Sequence, residues 1–437
     1  ANCGPAINKA IKALLKVQLL AGDYFTNETI FIDVAHRALV GVGSYYDDSV
    51  NQVSRIIINS ATDSALIIGP SVQPAQINDF QKQNVVENLF IDRSVGPDKA
   101  ADASQILVRW TLNTQLNNVR VRNGIYGIRF FGTVACFAKE CYSIRDIAGT
   151  GVGADSWWGY YIDGHANIGT AGGNASLYLN YCGAACNFPA LQTSGSVGFY
   201  ANESFTDCFL ESPETVNCNI GIAVIGNSST TLAASNTDMQ IKSPIIDQYH
   251  SIGIFVQNVN RSGSVSIENG YCGGASDSTQ AVLVQSCPGS VRILGGQYVL
   301  LIAVNSDGIA AENSNGIYID GTQILECSKN AVSFSNTSNC YISPLVKNYQ
   351  NNLDSAVQFL GNCDRNYVKP IYYGGGSVAS QFGMQILGTT NDYNEFNCTG
   401  IDPTTLSGGS ANKLVINGVQ ITVTGLTGNN LVSGVMA

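Results

Sequence analysis

The chain is poor in charge. Only 12% of its 437 residues are Asp, Glu, Lys or Arg, about half of the roughly 25% typical of globular domains. The 22 basic residues form no run, and 32 acids leave a net charge of −10. Such a surface repels nucleic-acid phosphates and anionic lipid headgroups. Only three histidines occur, His36, His165 and His250, each isolated. There is no His-Glu-x-x-His, no Gly-x-Ser-x-Gly and no usable Ser-His-Asp order. The Gly-rich phrases at 41 and 149 lack the flanking strand and helix of a nucleotide loop. No apolar stretch approaches the roughly 18 residues of a membrane span. The first residues carry no basic segment followed by an apolar core and cleavage site. We therefore expect no cofactor, no metal, no nucleic acid and no membrane insertion.

The 13 cysteines are an odd number, scattered inside apolar phrases such as DCFLES and ENGYCGG. They read as reduced, buried small hydrophobes rather than a disulfide framework. Cys182 with Cys186, and Cys136 with Cys141, lack paired zinc spacing and a nearby His. Gly, Asn, Ser and Thr are plentiful, while 45% of residues are apolar and Val, Ile, Tyr and Phe recur throughout. That balance favours β structure with many turns.

A lattice runs through the second half. VSIENGYC at 265 is followed 26 residues later by VRILGGQY and 26 after that by IYIDGTQI. Extending the column through Ile267, Ile293 and Ile319 adds Phe205, Ile241, Ile342 and Val368, with steps of 36, 26, 26, 26, 23 and 26 residues. A second column trails it, from GIAVIG at 221 through GIFVQN, AVLVQS, AVSFSN and AVQFLG to GMQILG at 383. Each repeat holds two or three short alternating strands, too short for a βαβ unit. Leucine-rich repeats and propeller blades need motifs that are absent, which leaves a parallel β-helix of coils about 4.8 Å apart. Inward positions need only be apolar, so the lattice repeats while its letters vary.

The expected fold is all-β: a right-handed, single-stranded parallel β-helix solenoid with a short N-terminal capping helix. Its parts are residues 1–45 (capping helix and first strands), 46–405 (β-helix body) and 406–437 (a C-terminal β segment). The opening places Ile7, Ala10, Ile11, Leu14 and Leu15 at helical spacing, as a helix covering an open solenoid end would. The upstream half carries insertions near 70–83 and 95–105 and a Gly-rich stretch at 149–156.

A resemblance becomes specific at the start. The helix of Ala6 to Leu15 leads to Ala21-Gly22-Asp23-Tyr24-Phe25, a strand at Ile30 to Ile32 and Leu39-Val40-Gly41-Val42-Gly43. This resembles the start of pectate-lyase-like β-helices, most of all the tailspikes and polysaccharide depolymerases of tailed bacteriophages. The leader usual before that helix is missing. The resemblance implies a homotrimer held to the virion through an absent N-terminal part. It also implies a phage-tail location, with capsular polysaccharide or lipopolysaccharide O-antigen as the partner outside the host cell. The implied activity is endo-acting glycoside hydrolysis. Rival readings are a non-cleaving receptor-binding adhesin and a polysaccharide lyase or fructotransferase-like enzyme.

Hydrolysis of a glycosidic bond calls for two carboxylates. Glu211 lies six residues after Phe205 and Asp247 six after Ile241, which would place them at one position of neighbouring coils. Stacked there, their Cα atoms would be about 5 Å apart, and one pKa would rise as a general acid needs. Tyr249 and His250 follow as a ring and a polar group. Asp207 is a further acid candidate. A second cluster, DSWWGYYIDGH at 155–165, offers Trp157, Trp158 and Asp163 for sugar contact, with Glu203 as a partner for Asp163; its rings would equally fill a core. A third pair, Glu268 with Asp320 across subunits, sits in a mixed column. Elimination needs clustered Asp and a basic residue, and Arg261, Arg292 and Lys242 meet no such cluster.

Overall fold

The computed structural model describes residues 2–44, 53–164, 167–168, 171–172, 174–203, 205–226, 237–300, 306–348, 355–374, 382–387, 393–399, 405–406, 413–416, 419–421 and 430–431. Contacts group the chain into two compact units, Ala1–Gln240 and Ile241–Ala437. That division falls within the stretch read from sequence as one body. The expected boundary at 45/46 lies outside the described residues, and that at 405/406 falls in a described pair between segments that also lie outside them.

The first unit opens with the helix Gly4–Ala13, which buries Ile7 and Ile11. It seals a strand edge: Asn8 Oδ1 accepts the Phe31 amide at 2.8 Å and Asn8 Nδ2 donates to the Thr29 carbonyl at 3.0 Å. Leu14 and Leu15 are 52% and 69% exposed. They lie past the helix end and correct the expectation that they continue its buried face. One sheet stacks Ile30–Ile32, Leu66–Ile68, Ser104–Arg109, Tyr126–Phe131, Trp157–Asp163, Ser196–Glu203 and Ile220–Gly226 in parallel. Val85–Arg93, Gln115–Arg122, Phe137–Lys139, Tyr178–Asn180 and Phe205–Glu211 pair in parallel on the other sides, while Asn167–Ile168 pairs antiparallel with Ala171–Gly172. Gly41 sits where a Cβ would come within 2.2 Å of the Asn88 carbonyl, which explains the glycine of that phrase.

In the second unit the predicted column holds residue for residue: Ile267 faces Ile293, then Ile319, Ile342 and Val368. All five are buried. The trailing column also holds, through Ile254, Val282, Val332, Val357 and Met384. It contains one coil the sequence reading passed over, Asp307–Glu312, whose Ile309 lies between Val282 and Val332. Lys413–Ile416 continues in parallel from Glu395–Cys398 but then pairs antiparallel with Val419–Ile421. The chain is thus an all-β, right-handed parallel β-helix with an N-terminal capping helix.

Corners are made by residues in the left-handed conformation. Among the described non-glycine residues 26 have positive φ, and ten of these are Asn, the residue that tolerates this region best. The asparagine-rich composition is thereby explained. The corners stack: His36, Gln83, Asn113, Ala135 and Ser176 each donate their amide to the carbonyl preceding the next corner, at 2.9–3.1 Å, ending at Asp207. A second column in the first unit runs Asn88, Asn118, Glu140, Tyr181 and Ser212, and one in the second unit runs Ser243, Asn269, Gly295 and Gly321.

Of the cysteines whose side chains are described, eleven are buried and Cys3 is half-buried; none of these is in a disulfide. Many of their thiols sit against backbone carbonyls, for example Cys141 Sγ at 3.4 Å from the Leu116 oxygen.

Candidate functional site

In-register parallel pairing stacks outward side chains one above another. Phe137 pairs with Tyr178, and Tyr178 with Phe209. Their rings form a three-coil stripe with centroids 5.0 and 4.9 Å apart and planes 9° and 3° from parallel. Alternation puts the next outward column two residues on: Lys139, Asn180 and Glu211. Glu211 is half-buried at the end of its strand, immediately before the left-handed Ser212. The rings cover one another's faces, so the stripe presents apolar ring edges at the surface, with amide, ammonium and carboxylate groups alongside for sugar hydroxyls.

The structure does not give Glu211 and Asp247 equivalent coil positions. Each precedes a left-handed residue, Ser212 and Gln248, but Ser212 is followed by a left-handed Asn217 and Gln248 is preceded by a left-handed Ser243, so Ser212 answers to Ser243 and Gln248 to Asn217. The error lay in aligning Phe205 with Ile241. Phe205 lies upstream of an additional corner, Asp207, and pairs with Asn174. Two before its corner, as Ile319 is two before Gly321, the first unit has Leu210. Glu211 belongs to the first unit and Asp247 to the second.

Asp207 and Glu203 both have positive φ, 52° and 66°, so each has a backbone role at a corner. Asp207 is exposed and Glu203 half-buried. Asp247 pairs with Gly273 in strand register, and a Cβ at Gly273 would lie 3.2 Å from Asp247 Oδ1 and 2.9 Å from the Tyr271 hydroxyl. Tyr249 is a correction: it is fully buried, because its strand turns that position inward, and it cannot touch a polymer. His250 stays accessible and bonds Asp277 through Nδ1 at 2.9 and 3.1 Å.

The 155–165 cluster divides between core and surface with the alternation shifted by one residue at Gly159. Trp157 and Tyr160 point inward and are fully buried, so Trp157 is also corrected from sugar contact to core. Trp158 and Tyr161 point outward. Tyr126 stacks on Trp158 at 5.0 Å and Tyr161 on Tyr200 at 5.2 Å, with Trp158 and Tyr161 5.8 Å apart. Arg129 lies 4.8 Å from the Tyr126 ring centre and 5.5 Å from that of Tyr161. Asp163, 2% exposed in its side chain, holds Arg129 at 2.6 Å, and Asp102 holds it from the outer side. Burial opposes the Arg129 charge, but hydrogen bonds and charge from Asp102 and Asp163 outweigh it and raise its pKa. Burial first, and the Glu203 charge next, push the Tyr200 phenol up. Asp163 is therefore an ion-pair partner that fixes the patch, and Asp155 is engaged by the buried Arg145 at 3.1 Å. His165 lies outside the described residues.

The sequence reading missed the Phe137–Tyr178–Phe209 stripe and Arg129. A signal was present: FAK, YLN and FLE each place a ring two residues before a polar side chain and three before a left-handed corner. No group of three His, Cys, Asp or Glu side chains suited to a metal ion occurs among the described residues. No described helix is long and apolar enough to cross a membrane.

No family model matches the sequence, and no curated protein matches it. Solved structures do match in fold. Tailspike protein 3 of bacteriophage CBA120 superposes with a TM-score of 0.64 at 11% identity, over 97% of this chain and 60% of that one. This chain thus spans about three fifths of that tailspike. The tailspike of E. coli bacteriophage HK620, solved in complex with a pentasaccharide, gives 0.61 at 10% identity, over 95% of this chain and 77% of that one. The A-module of the Azotobacter vinelandii mannuronan C-5 epimerase AlgE6 gives 0.56 at 14% identity, over 89% and 94%. The fold of this chain is the parallel β-helix found in phage tailspikes.

Proposed function

We propose that this protein is a phage tailspike that binds a bacterial surface polysaccharide, capsule or O-antigen, and hydrolyses it within the chain. The observation that carries the reading is Glu211, half-buried beside three stacked outward rings. A sugar lying on Phe209 would bring a glycosidic oxygen to its carboxyl. Glu211 protonates that oxygen as general acid, and a second carboxylate accepts a proton from water or attacks the anomeric carbon. Asp207, on the same strand, is the choice for that second group, and the outward Trp158 patch, fixed by Arg129 and Asp163, extends the sugar contacts. Support in kind comes from the HK620 tailspike, a neighbour in fold, which was crystallised with a pentasaccharide as variants with a glutamate or an aspartate replaced by its amide. The same reading carries assembly as a homotrimer, attachment to the virion and action outside the host cell.

The test is the size distribution of capsule and lipopolysaccharide glycans from a panel of strains after incubation with the protein. Glu211→Gln and Asp207→Asn run in parallel. Shortening by the wild type that is lost in Glu211→Gln and in Asp207→Asn is the expected result. Shortening that survives Glu211→Gln overturns the assignment. Binding with no shortening on any strain establishes the adhesin reading instead.

A further inference from the structure

Most outward rings of this protein cover one another. Phe137, Tyr178 and Phe209 do so in the first unit. Tyr318, Tyr341 and Tyr367 do so in the second, with centroids 4.7 and 5.5 Å apart and planes 12° and 14° from parallel. Tyr181 stands apart. It is 60% exposed, and no ring or cation lies against it among the described residues.

Its backbone φ is 53°, in the left-handed region, which strains a bulky residue. The same corner column holds Asn88, Asn118 and Glu140 on one side of it and Ser212 on the other. Asn tolerates this conformation best, so the backbone does not call for a tyrosine. Trp110 shares the conformation at φ 48° but is buried against Phe80. Tyr181 has no such burial to offset its strain. An uncovered ring held at a strained corner points to a contact outside the chain.

The surroundings lie in the first unit and select the kind of contact. Asn180 pairs with Glu211, and the Tyr181 amide donates to the Glu211 carbonyl at 2.8 Å. Ser212 follows Glu211 at the corner, and Glu214, exposed, pairs with Gly183 just past Tyr181. Tyr181 therefore stands beside a corner flanked by two carboxylates, Glu211 and Glu214. Neither carboxylate forms an ion pair or a side-chain hydrogen bond among the described residues. The cations of these columns are engaged elsewhere. Lys139, in the Glu211 column, is held by Glu140 at 3.4 Å, and Arg120, three coils along the Glu214 column, lies over the Tyr142 ring. Free carboxylates accept sugar hydroxyls and repel uronate or phosphate, and an uncovered ring takes the apolar face of a pyranose.

We infer that Tyr181 is the platform for one sugar of the bound glycan, a pyranose carrying no acidic group, whose hydroxyls Glu214 accepts. This rests on the saccharide-binding reading given above but not on acid catalysis by Glu211. The stacked stripe ends at Phe209, two residues before Glu211, and Tyr181 lies past it at the corner. Sugars would thus rest on both sides of the Glu211 carboxyl.

Tyrosine nitration by tetranitromethane, mapped by mass spectrometry on the full-chain Glu211→Gln variant, tests the contact without cleavage. Capsule and lipopolysaccharide glycans from the strain panel are the probes. Tyr271, 38% exposed, serves as the internal reference. At least one glycan whose repeat contains a non-acidic pyranose should slow nitration of Tyr181 and leave that of Tyr271 unchanged. In binding assays with that glycan, Tyr181→Asn should weaken affinity by about three- to tenfold, whereas Tyr181→Phe should retain it. Tyr181→Asn should keep or raise the unfolding midpoint, since Asn suits the corner. Four results each overturn the inference: no glycan protects Tyr181, only wholly acidic glycans do, Tyr181→Asn binds as the wild type does, or its midpoint falls. Nitration and binding read contact, so shortening that survives Glu211→Gln removes the catalytic assignment and leaves this inference standing.

Discussion

Replacing Ile319 by Ala and, separately, its neighbour Tyr318 by Ala tests the assignment of inward and outward faces. Ile319 is fully buried in the column Ile293–Ile319–Ile342, while Tyr318 is 37% exposed. Shortening Ile to Ala removes three carbons, about 2.4 kcal/mol of transfer free energy at about 0.8 per buried group. The column is held in place by strand pairing above and below, so the void cannot collapse fully. The cavity term brings the total to about 3–4 kcal/mol. Tyr318→Ala loses a stacked ring at a surface, worth about 0.5–1.5 kcal/mol. Urea unfolding followed by far-ultraviolet circular dichroism gives both values from the midpoint shift, provided the slope is unchanged. A change in slope would show that neighbouring coils unfold separately, as a solenoid of nearest-neighbour contacts permits. If Tyr318→Ala costs as much as Ile319→Ala, the faces are reversed, because a one-residue slip exchanges every inward and outward side chain.

Two further outcomes follow from burial. The thiols of Cys186 and Cys208 are pushed up to about 11 and about 12 by burial, the largest cause in each. In the unfolded chain they ionise near pH 8.5, so above that the unfolded state binds fewer protons than the folded one. Stability is then full below about pH 8.5 and falls by about 1.4 kcal/mol per thiol per pH unit until the folded pKa is reached. Urea titrations at pH 8 and pH 10 should show the loss, and Cys208→Ala should reduce it; equal midpoints at both pH values for the wild type would contradict the argument. Trp157→Ala empties a fully buried site and should cost about 3–5 kcal/mol, whereas Trp158→Ala should leave the unfolding midpoint within about 1.5 kcal/mol and lower glycan binding. Equal destabilisation by the two would place both rings in the core.

Much of the fold was legible because a solenoid is periodic. Ile267, Ile293, Ile319, Ile342 and Val368 recur at nearly constant spacing, and the spacing alone specified stacked coils with that column inside. The helix at the start was legible from Ile7 and Ile11. Register failed at Phe205, where an insertion and an additional corner at Asp207 broke the count. The same break produced the false equivalence of Glu211 and Asp247, since neither carries a letter that marks its distance from a corner. Periodicity also could not divide a run such as WWGYYID, where Trp157 and Tyr160 proved to be core while Trp158 stacks in the outward patch and Tyr161 is largely covered by it. A strand's alternation has two phases that differ by one residue, and this strand passes from one to the other at Gly159, a shift that only packing against the interior decides.

The sequence by itself determined the class of structure: low charge, many Asn and Gly, and short alternating phrases at a coil-length period admit little besides a parallel β-helix. Only the tertiary structure decided which side chains meet. Phe137, Tyr178 and Phe209 are 41 and 31 residues apart in sequence, and Tyr318, Tyr341 and Tyr367 are 23 and 26 apart, yet each set forms one stripe. Coil lengths vary with every loop, whereas strand pairing brings each coil back into the same register at the left-handed corners. Contacts along the coil axis are therefore set by pairing between strands, and no local pattern of residues states them.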